Sequence, residues 1–104
     1  MATANEIEAF LQDFKEKMKI WGIFFLSRDK NLQTLLDLEI SSNDREKIIT
    51  QLTAADYSKG PSKDELNDGP DLWVFKKEVK GFKVYIKITL GFCNKKVICI
   101  SFHT

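Results

Sequence analysis

Histidine, cysteine and proline are scarce in this chain of 104 residues, which has one histidine, two cysteines and two prolines. One histidine and two cysteines without metal-ligand spacing argue against a structural zinc site, and we expect no metal and no cofactor. Cys93 lies in a predicted loop and Cys99 inside a predicted strand, so a bridge between them would disrupt that strand. We therefore expect both thiols to be reduced, as in a cytoplasmic protein.

Long hydrophobic runs are also missing. No stretch approaches the roughly 20 apolar residues of a membrane span. The first five residues lack the basic start of a signal peptide, and the apolar run Ile20–Leu26 is short and interrupted by Gly22. We expect no membrane association and a cytoplasmic location.

The composition is that of one folded domain covering residues 1–104. Hydrophobic residues make up 43% of the chain and aromatic residues 12%, which is enough for a core. The net charge of +1 hides an asymmetry, because residues 1–56 carry −3 and residues 57–104 carry +4. A polyanion would prefer the second, basic half.

The stretch Phe82–His103 contains two runs of alternating side chains around a loop with Gly and Asn, which is typical of a β-hairpin. One face is apolar. The polar face would carry Lys83, Tyr85, Lys87 and Thr89 from the first strand, and Val97, Cys99, Ser101 and His103 from the second. Matching the two apolar faces places Tyr85 opposite Ser101 and Lys83 opposite His103.

Helical periodicity dominates the chain before this hairpin. The predicted elements are a helix Asn5–Ile20, a short strand Ile23–Leu26 buried on both faces, a short helix capped by Asp29 or Asn31, and a helix Asn43–Leu52. Thr3 and Glu6 form a capping-box pattern at the first helix, and Trp21 is expected to pack in the core or at the helix end. The second helix has an apolar stripe of Leu32, Leu35, Leu36 and Leu38.

A polar segment, Thr53–Asp71, separates the helices from the sheet. It contains two Gly-Pro pairs and few apolar residues, so it is predicted to be a loop. Leu72–Val79 is predicted to be a strand, with Trp73 and Phe75 in the core. The fold class is therefore α+β, with N-terminal helices packed on one face of a twisted antiparallel sheet.

The segments Leu52–Lys59, Gly81–Ile88 and Val97–Phe102, with Trp73 between the first two, resemble the MqsR-type toxins of bacterial type II toxin–antitoxin pairs. The resemblance covers about half of the chain. It implies a RelE-like fold and a metal-independent endoribonuclease that cuts messenger RNA, on or off the ribosome. It also implies a cognate antitoxin that silences the enzyme, and no binding of DNA by the toxin itself.

The resemblance also implies site residues. The family's catalytic lysine falls on Lys59 and its sheet tyrosine on Tyr85. Its basic residue after the Ser-Phe pair is a lysine, which is His103 here. The family's glutamine after the tryptophan is Val74 here, so one polar contact of the family is missing.

Cleavage of RNA by its own 2′-oxygen needs a base, an acid and positive charge near the phosphate. Histidine, with an ordinary pKa of about 6.5, is suited to proton transfer near neutrality, which points to His103. Tyr85 would orient the phosphate and Lys59 would stabilise charge. Further lysines that could bind RNA are Lys76, Lys77, Lys83 and Lys87.

Two other interpretations remain. In the first, the lysines of the predicted strand Leu72–Val79 serve only to protect an edge strand from aggregation, and the polar sheet face is simply hydrated. The chain would then be a small structural protein. Alternatively, it is a catalytically inactive RelE-like module that binds RNA or a partner protein, and Val74 favours this alternative.

Overall fold

The computed structural model of this protein describes residues 1–66 and 68–104. The elements are α1 (Ala4–Trp21), β1 (Ile23–Phe25), α2 (Asp29–Leu38), α3 (Ser42–Thr50), a short 3₁₀ helix (Ala54–Asp56), β2 (Tyr57–Ser62), β3 (Leu72–Val79), β4 (Phe82–Thr89) and β5 (Val97–His103). The strands form one sheet in the order β1-β5-β4-β3-β2. The predicted α+β class is confirmed. The sheet is mixed rather than wholly antiparallel, because β1 runs parallel to β5.

Helix α1 packs along the inner face of the sheet. Its apolar stripe, buried as predicted, consists of Ile7, Phe10, Leu11, Phe14 and Met18. The Phe10 ring stacks on Trp73, with centroids 4.5 Å apart, and lies 6.3 Å from the ring of Phe75. Trp73 and Phe75 are therefore core residues, as expected.

The ends of α1 follow the sequence signals. The Thr3 N–H donates to the Glu6 carboxylate at 3.0 Å, and the Glu6 N–H donates to the Thr3 hydroxyl at 3.2 Å. The bond from the Thr3 N–H has the largest effect in lowering the pKa of the Glu6 carboxyl, and the Thr3 hydroxyl lowers it further. At the other end Gly22 has a φ of 89°, which favours glycine, and its N–H donates to the Met18 carbonyl. No helix in the two described ranges is long and apolar enough to span a bilayer.

Helix α2 buries a different side from the one that was predicted. Leu32 is 46% exposed and Leu36 is 72% exposed, whereas Asn31, Thr34 and Leu38 are buried. The buried positions are spaced by three and four residues, so α2 packs through a stripe that begins with an asparagine. The predicted leucine stripe is wrong for Leu32 and Leu36, because it assumed that the more apolar side would face inward. Leu38 is buried as predicted, and Leu35 packs against the core.

The short strand was predicted to be buried on both faces, which is also wrong. Phe24 in β1 is 52% exposed, and Trp21 just before it is 44% exposed. The Phe25 ring points the other way, where the Arg45 guanidinium lies 3.6 Å from the ring centroid. Strand β1 is thus covered from the helix side only.

The predicted loop Thr53–Asp71 contains a strand. Tyr57–Ser62 forms β2, which pairs antiparallel to β3 with Tyr57 opposite Phe75 and Lys59 opposite Val74. Strand β2 lies at the sheet edge, where a proline can be accommodated, and this is why Gly60-Pro61 does not exclude a strand. Asn67, which belongs to the same predicted loop, lies outside the described residues.

Strand β5 contains a β-bulge, and the predicted register of the hairpin is therefore wrong. Thr89 pairs with Ile98 and Ile88 with Cys99, but Ile86 pairs with Phe102. Ile100 is the extra residue between these pairs. Tyr85 consequently lies opposite His103, not opposite Ser101, and Lys83 does not face His103.

Asn31 holds the free edge of β5 at this bulge. Its side-chain N–H donates to the Ile100 carbonyl and its side-chain oxygen accepts from the Phe102 N–H, both at 3.0 Å. A third bond reaches the Leu26 carbonyl at 3.0 Å. Because β1 ends at Phe25, this buried amide takes the place that the next residues of a neighbouring strand would occupy.

We predict that Asn31→Ala lowers the free energy of unfolding by about 2–6 kcal/mol, since two buried backbone groups lose a partner at about 1–3 kcal/mol each. The measurement is urea denaturation followed by circular dichroism. The control is Gln33→Ala, because the Gln33 amide donates to the carboxylate of Asp37 on the exposed side of the same helix. A similar stability for the two variants would contradict the role assigned to Asn31.

The two cysteines should differ in reactivity. Both are free; Cys93 is exposed and Cys99 is buried, and burial raises the pKa of the Cys99 thiol to about 12. Because the thiolate is the reactive form, we expect one thiol per native chain to react rapidly with Ellman's reagent, and two in guanidinium chloride. Cys93→Ser should abolish the rapid reaction; a rapid reaction that survives it would show that Cys99 is accessible.

Candidate functional site

The sheet surface opposite the helices, here called the outer face, carries two neighbouring rows of cross-strand residues. One row consists of Lys76 on β3, Tyr85 on β4 and His103 on β5. The other row consists of Lys59 on β2, Val74 on β3, Lys87 on β4 and Ser101 on β5. Residues opposite one another in an antiparallel pair point to the same face, so each row presents its side chains together.

The outward position of His103 depends on the bulge at Ile100. Val97 and Cys99 are both buried in the core and face the helices. With strict alternation Ser101 and His103 would face the helices too. The extra residue shifts the alternation, so Phe102 enters the core and His103 joins Tyr85 outside.

Tyr85 and His103 form a stacked pair. Their ring centroids lie 5.3 Å apart and their planes differ by 20°. Both side chains are half-buried, and His103 Nδ1 lies 3.3 Å from the Thr104 carbonyl oxygen. If Nδ1 carries the proton and donates to that oxygen, the neutral ring presents Nε2 as a proton acceptor.

Two lysines are direct neighbours of this pair on the outer face. Lys76 is opposite Tyr85 on β3 and is exposed. Lys87 is two residues from Tyr85 on β4 and opposite Ser101, so it is in the next cross-strand row on the same face. Tyr85, His103, Lys76 and Lys87 are called the Tyr–His site below.

Lys59 lies on the same face but at the far side of the sheet. It is exposed on the edge strand β2, and β3 and β4 separate it from His103. Three strand spacings of about 4.8 Å put it roughly 14 Å across the sheet from β5. The structure therefore brings together two of the three predicted catalytic residues and leaves Lys59 apart from them.

The remaining predicted lysines fall in different places. Lys83 points outward and is opposite Glu78, one step beyond Tyr85 along β4. Lys77 is opposite the core residue Val84, so it points to the helix face, where its Nζ lies 3.5 Å from the Asp56 carboxylate. Lys77 is thus separated from the Tyr–His site by the sheet itself.

The charge around the Tyr–His site is mainly positive. Residues 79–104 contain five lysines and no aspartate or glutamate. On the outer face, the acidic residue of β3 is Glu78, opposite Lys83. Such a surface attracts anions, and the attraction weakens as salt screens it.

The arrangement combines two groups that can exchange protons with two fixed positive charges. An imidazole beside a phenol can give or accept a proton, and the ammonium groups can neutralise a phosphate. Val74, between Lys59 and Lys87 in the second row, is only 2% exposed and contributes no polar group.

Sequence reasoning missed the two residues that place His103, namely Ile100 and Asn31. A signal for the bulge is the loss of strict alternation in Val97–Ile100, where four apolar residues follow one another. Such a run fits no simple two-faced strand. Asn31 was considered only as a helix cap, and nothing local indicates its contact with residues 100–102.

Residues 1–66 and 68–104 contain no group of three or more His, Cys, Asp or Glu side chains that could hold a metal ion. Comparison with protein-family models finds no match, and neither curated proteins nor solved structures yield one.

Proposed function

We propose that the Tyr–His site is the active site of a metal-independent endoribonuclease, a toxin of the MqsR type that cuts messenger RNA. The observation that carries the proposal is the stack of Tyr85 and His103 on the lysine-rich outer face. The resemblance of the sequence to that family is the second support.

In this mechanism the ribose 2′-oxygen attacks the adjacent phosphate. The P–O2′ bond forms and the P–O5′ bond breaks. His103 takes the 2′-hydroxyl proton or protonates the departing 5′-oxygen, water carries the other of these two protons, and the Tyr85 hydroxyl orients the phosphate. Lys87 and Lys76 stabilise the extra negative charge of the transition state. Lys59 binds the RNA further along the strand, since it lies at the opposite edge of the sheet.

We predict that His103→Ala slows cleavage of a fluorescently labelled single-stranded RNA by about 10²–10⁴-fold, the usual contribution of a general acid or base. Tyr85→Phe keeps the stacked ring and removes the hydroxyl, so it separates phosphate orientation from support of the imidazole. The matched control is Lys47→Ala, an exposed lysine of α3. Thermal unfolding of each variant verifies the fold. Parent-like cleavage rates for both His103→Ala and Tyr85→Phe would refute the assignment.

The nucleophile has its own test. A chimeric oligonucleotide with a single 2′-deoxyribose at the mapped cleavage position should not be cut there, because the attacking oxygen is missing. The all-ribose oligonucleotide should still be cut in the presence of EDTA. Cleavage of the deoxy-substituted position would contradict attack by the 2′-oxygen.

A second candidate function is supported by Val74, which is buried and apolar where the resembling family has a glutamine. Here the outer face binds RNA or a partner protein without cutting. Binding of labelled RNA that weakens with salt, together with no cleavage by the parent chain, would favour this alternative. Growth arrest on induction that depends on His103 would favour the nuclease and would motivate a search for the silencing antitoxin.

A further inference from the structure

Strand β1 has an open edge. It ends the sheet order and pairs only with β5 among the described residues. The Leu26 N–H donates to Cys99 and the Gly22 carbonyl accepts from Val97. In a parallel ladder alternate residues point their backbone groups to the same side, so the N–H and C=O groups of Ile23 and Phe25 point away from β5.

An apolar groove adjoins this edge on the outer face. It has a volume of about 430 Å³ and is lined by Trp21, Phe24, Phe92 and Ile98, with Asn94, Lys95 and Lys96. Trp21, Phe24 and Phe92 are 44%, 52% and 47% exposed. We call these seven residues the β1 groove. Exposed aromatic residues grouped in this way mark an interaction surface.

The charge at this end of the molecule is positive. Residues 17–28, which contain β1, have no aspartate or glutamate, and neither do residues 79–104. Lys95 and Lys96 line the groove and are exposed. Asp64 lines a smaller adjoining pocket and is 6% exposed, so the lysines are the more accessible charged groups.

Arg45 adds a buried positive charge on the other side of β1. Its guanidinium covers the Phe25 ring and is 5% exposed, and its Nε has no hydrogen-bond partner within the described part of the chain.

We propose that β1 and the β1 groove bind an extended, acidic peptide segment of a partner protein, which pairs with β1 as an additional strand. The backbone groups of Ile23 and Phe25 form the hydrogen bonds, as in other cases of strand addition. An apolar side chain of the peptide enters the groove, and flanking carboxylates pair with Lys95 and Lys96.

Single-stranded RNA is the other anion to consider, since it also uses lysines and aromatic rings. The open edge favours the peptide, because only another backbone in extended conformation repeats N–H and C=O groups at the spacing of a strand. The peptide segment that can pair with the sheet is short. Strand β1 has three residues, and beyond it Asn31 already occupies the edge of β5.

The probe is a random twelve-residue peptide library displayed on phage and selected against the parent chain. We expect the selected peptides to alternate apolar with acidic residues. A synthetic, fluorescein-labelled copy should bind at least tenfold more weakly to Phe24→Ser and to the double variant Lys95→Glu, Lys96→Glu. Bound peptide should slow hydrogen exchange at the Ile23 and Phe25 amides of the parent chain.

Phe82→Ser is the matched control, because Phe82 is 57% exposed and does not line the groove. It should bind the peptide like the parent. Trp21→Ser replaces Phe24→Ser if that variant does not fold. N-methylation of every second peptide amide should abolish binding in one of the two alternating sets only, because a strand uses alternate N–H groups.

Three results would overturn the proposal: selected peptides without acidic residues, binding that ignores the Phe24 and lysine variants, or unprotected Ile23 and Phe25 amides. If no peptide is selected, and a labelled oligouridylate of eight nucleotides binds the parent chain but binds the same variants more weakly, the groove would be assigned to RNA. The proposal does not rest on the nuclease assignment, because the β1 groove and the Tyr–His site consist of different residues. RNA cleavage by the Phe24→Ser variant is measured separately.

Discussion

The extra residue at Ile100 is the constraint on which the candidate site depends. A strand with strict alternation cannot send Val97 and Cys99 into the core and also direct Ser101, which is 4% exposed, and His103 toward the outer face. The bulge meets both demands, since it reverses the alternation between Cys99 and Phe102. A bulge weakens the ladder locally, and the Asn31 amide supplies hydrogen bonds there at 3.0 Å. Through Asn31, helix α2 thereby helps to fix the orientation of His103.

The sequence predicted those parts of the fold that local signals determine. Helix α1 was predicted within one residue at each end, because its capping box, its apolar spacing and Gly22 all agree. The hairpin strands were also predicted. The register was not, because a bulge depends on which residues the helices and β1 must cover. Strand β2 was missed since its pairing with β3 is not local, and a Gly-Pro pair normally indicates a loop.

Burial of polar side chains explains the errors in the second helix. The sequence pattern assumes that the more apolar side of a helix faces inward, but α2 buries Asn31 and Thr34 and exposes Leu32 and Leu36. Three hydrogen bonds from the Asn31 amide to backbone groups are available only in this orientation. Unsatisfied strand groups at the bulge would destabilise the alternative packing, and each costs about 1–3 kcal/mol. The hydrogen bonds of β5 thus outweigh the burial of two leucines.

The same asparagine separates the two proposed surfaces. A strand added to β1 can pair along Ile23–Phe25 but cannot continue beside residues 100–102. Asn31 already forms hydrogen bonds with the backbone groups of these residues at the free edge of β5. His103 lies past this block, on the row shared with Tyr85. A short peptide on β1 would therefore leave the Tyr–His site open. A partner that blocks the Tyr–His site must cover the outer face with parts of its chain beyond the paired segment, or shift the bulge that orients His103. Inhibition and peptide binding should then be separable by truncating the partner to its paired segment.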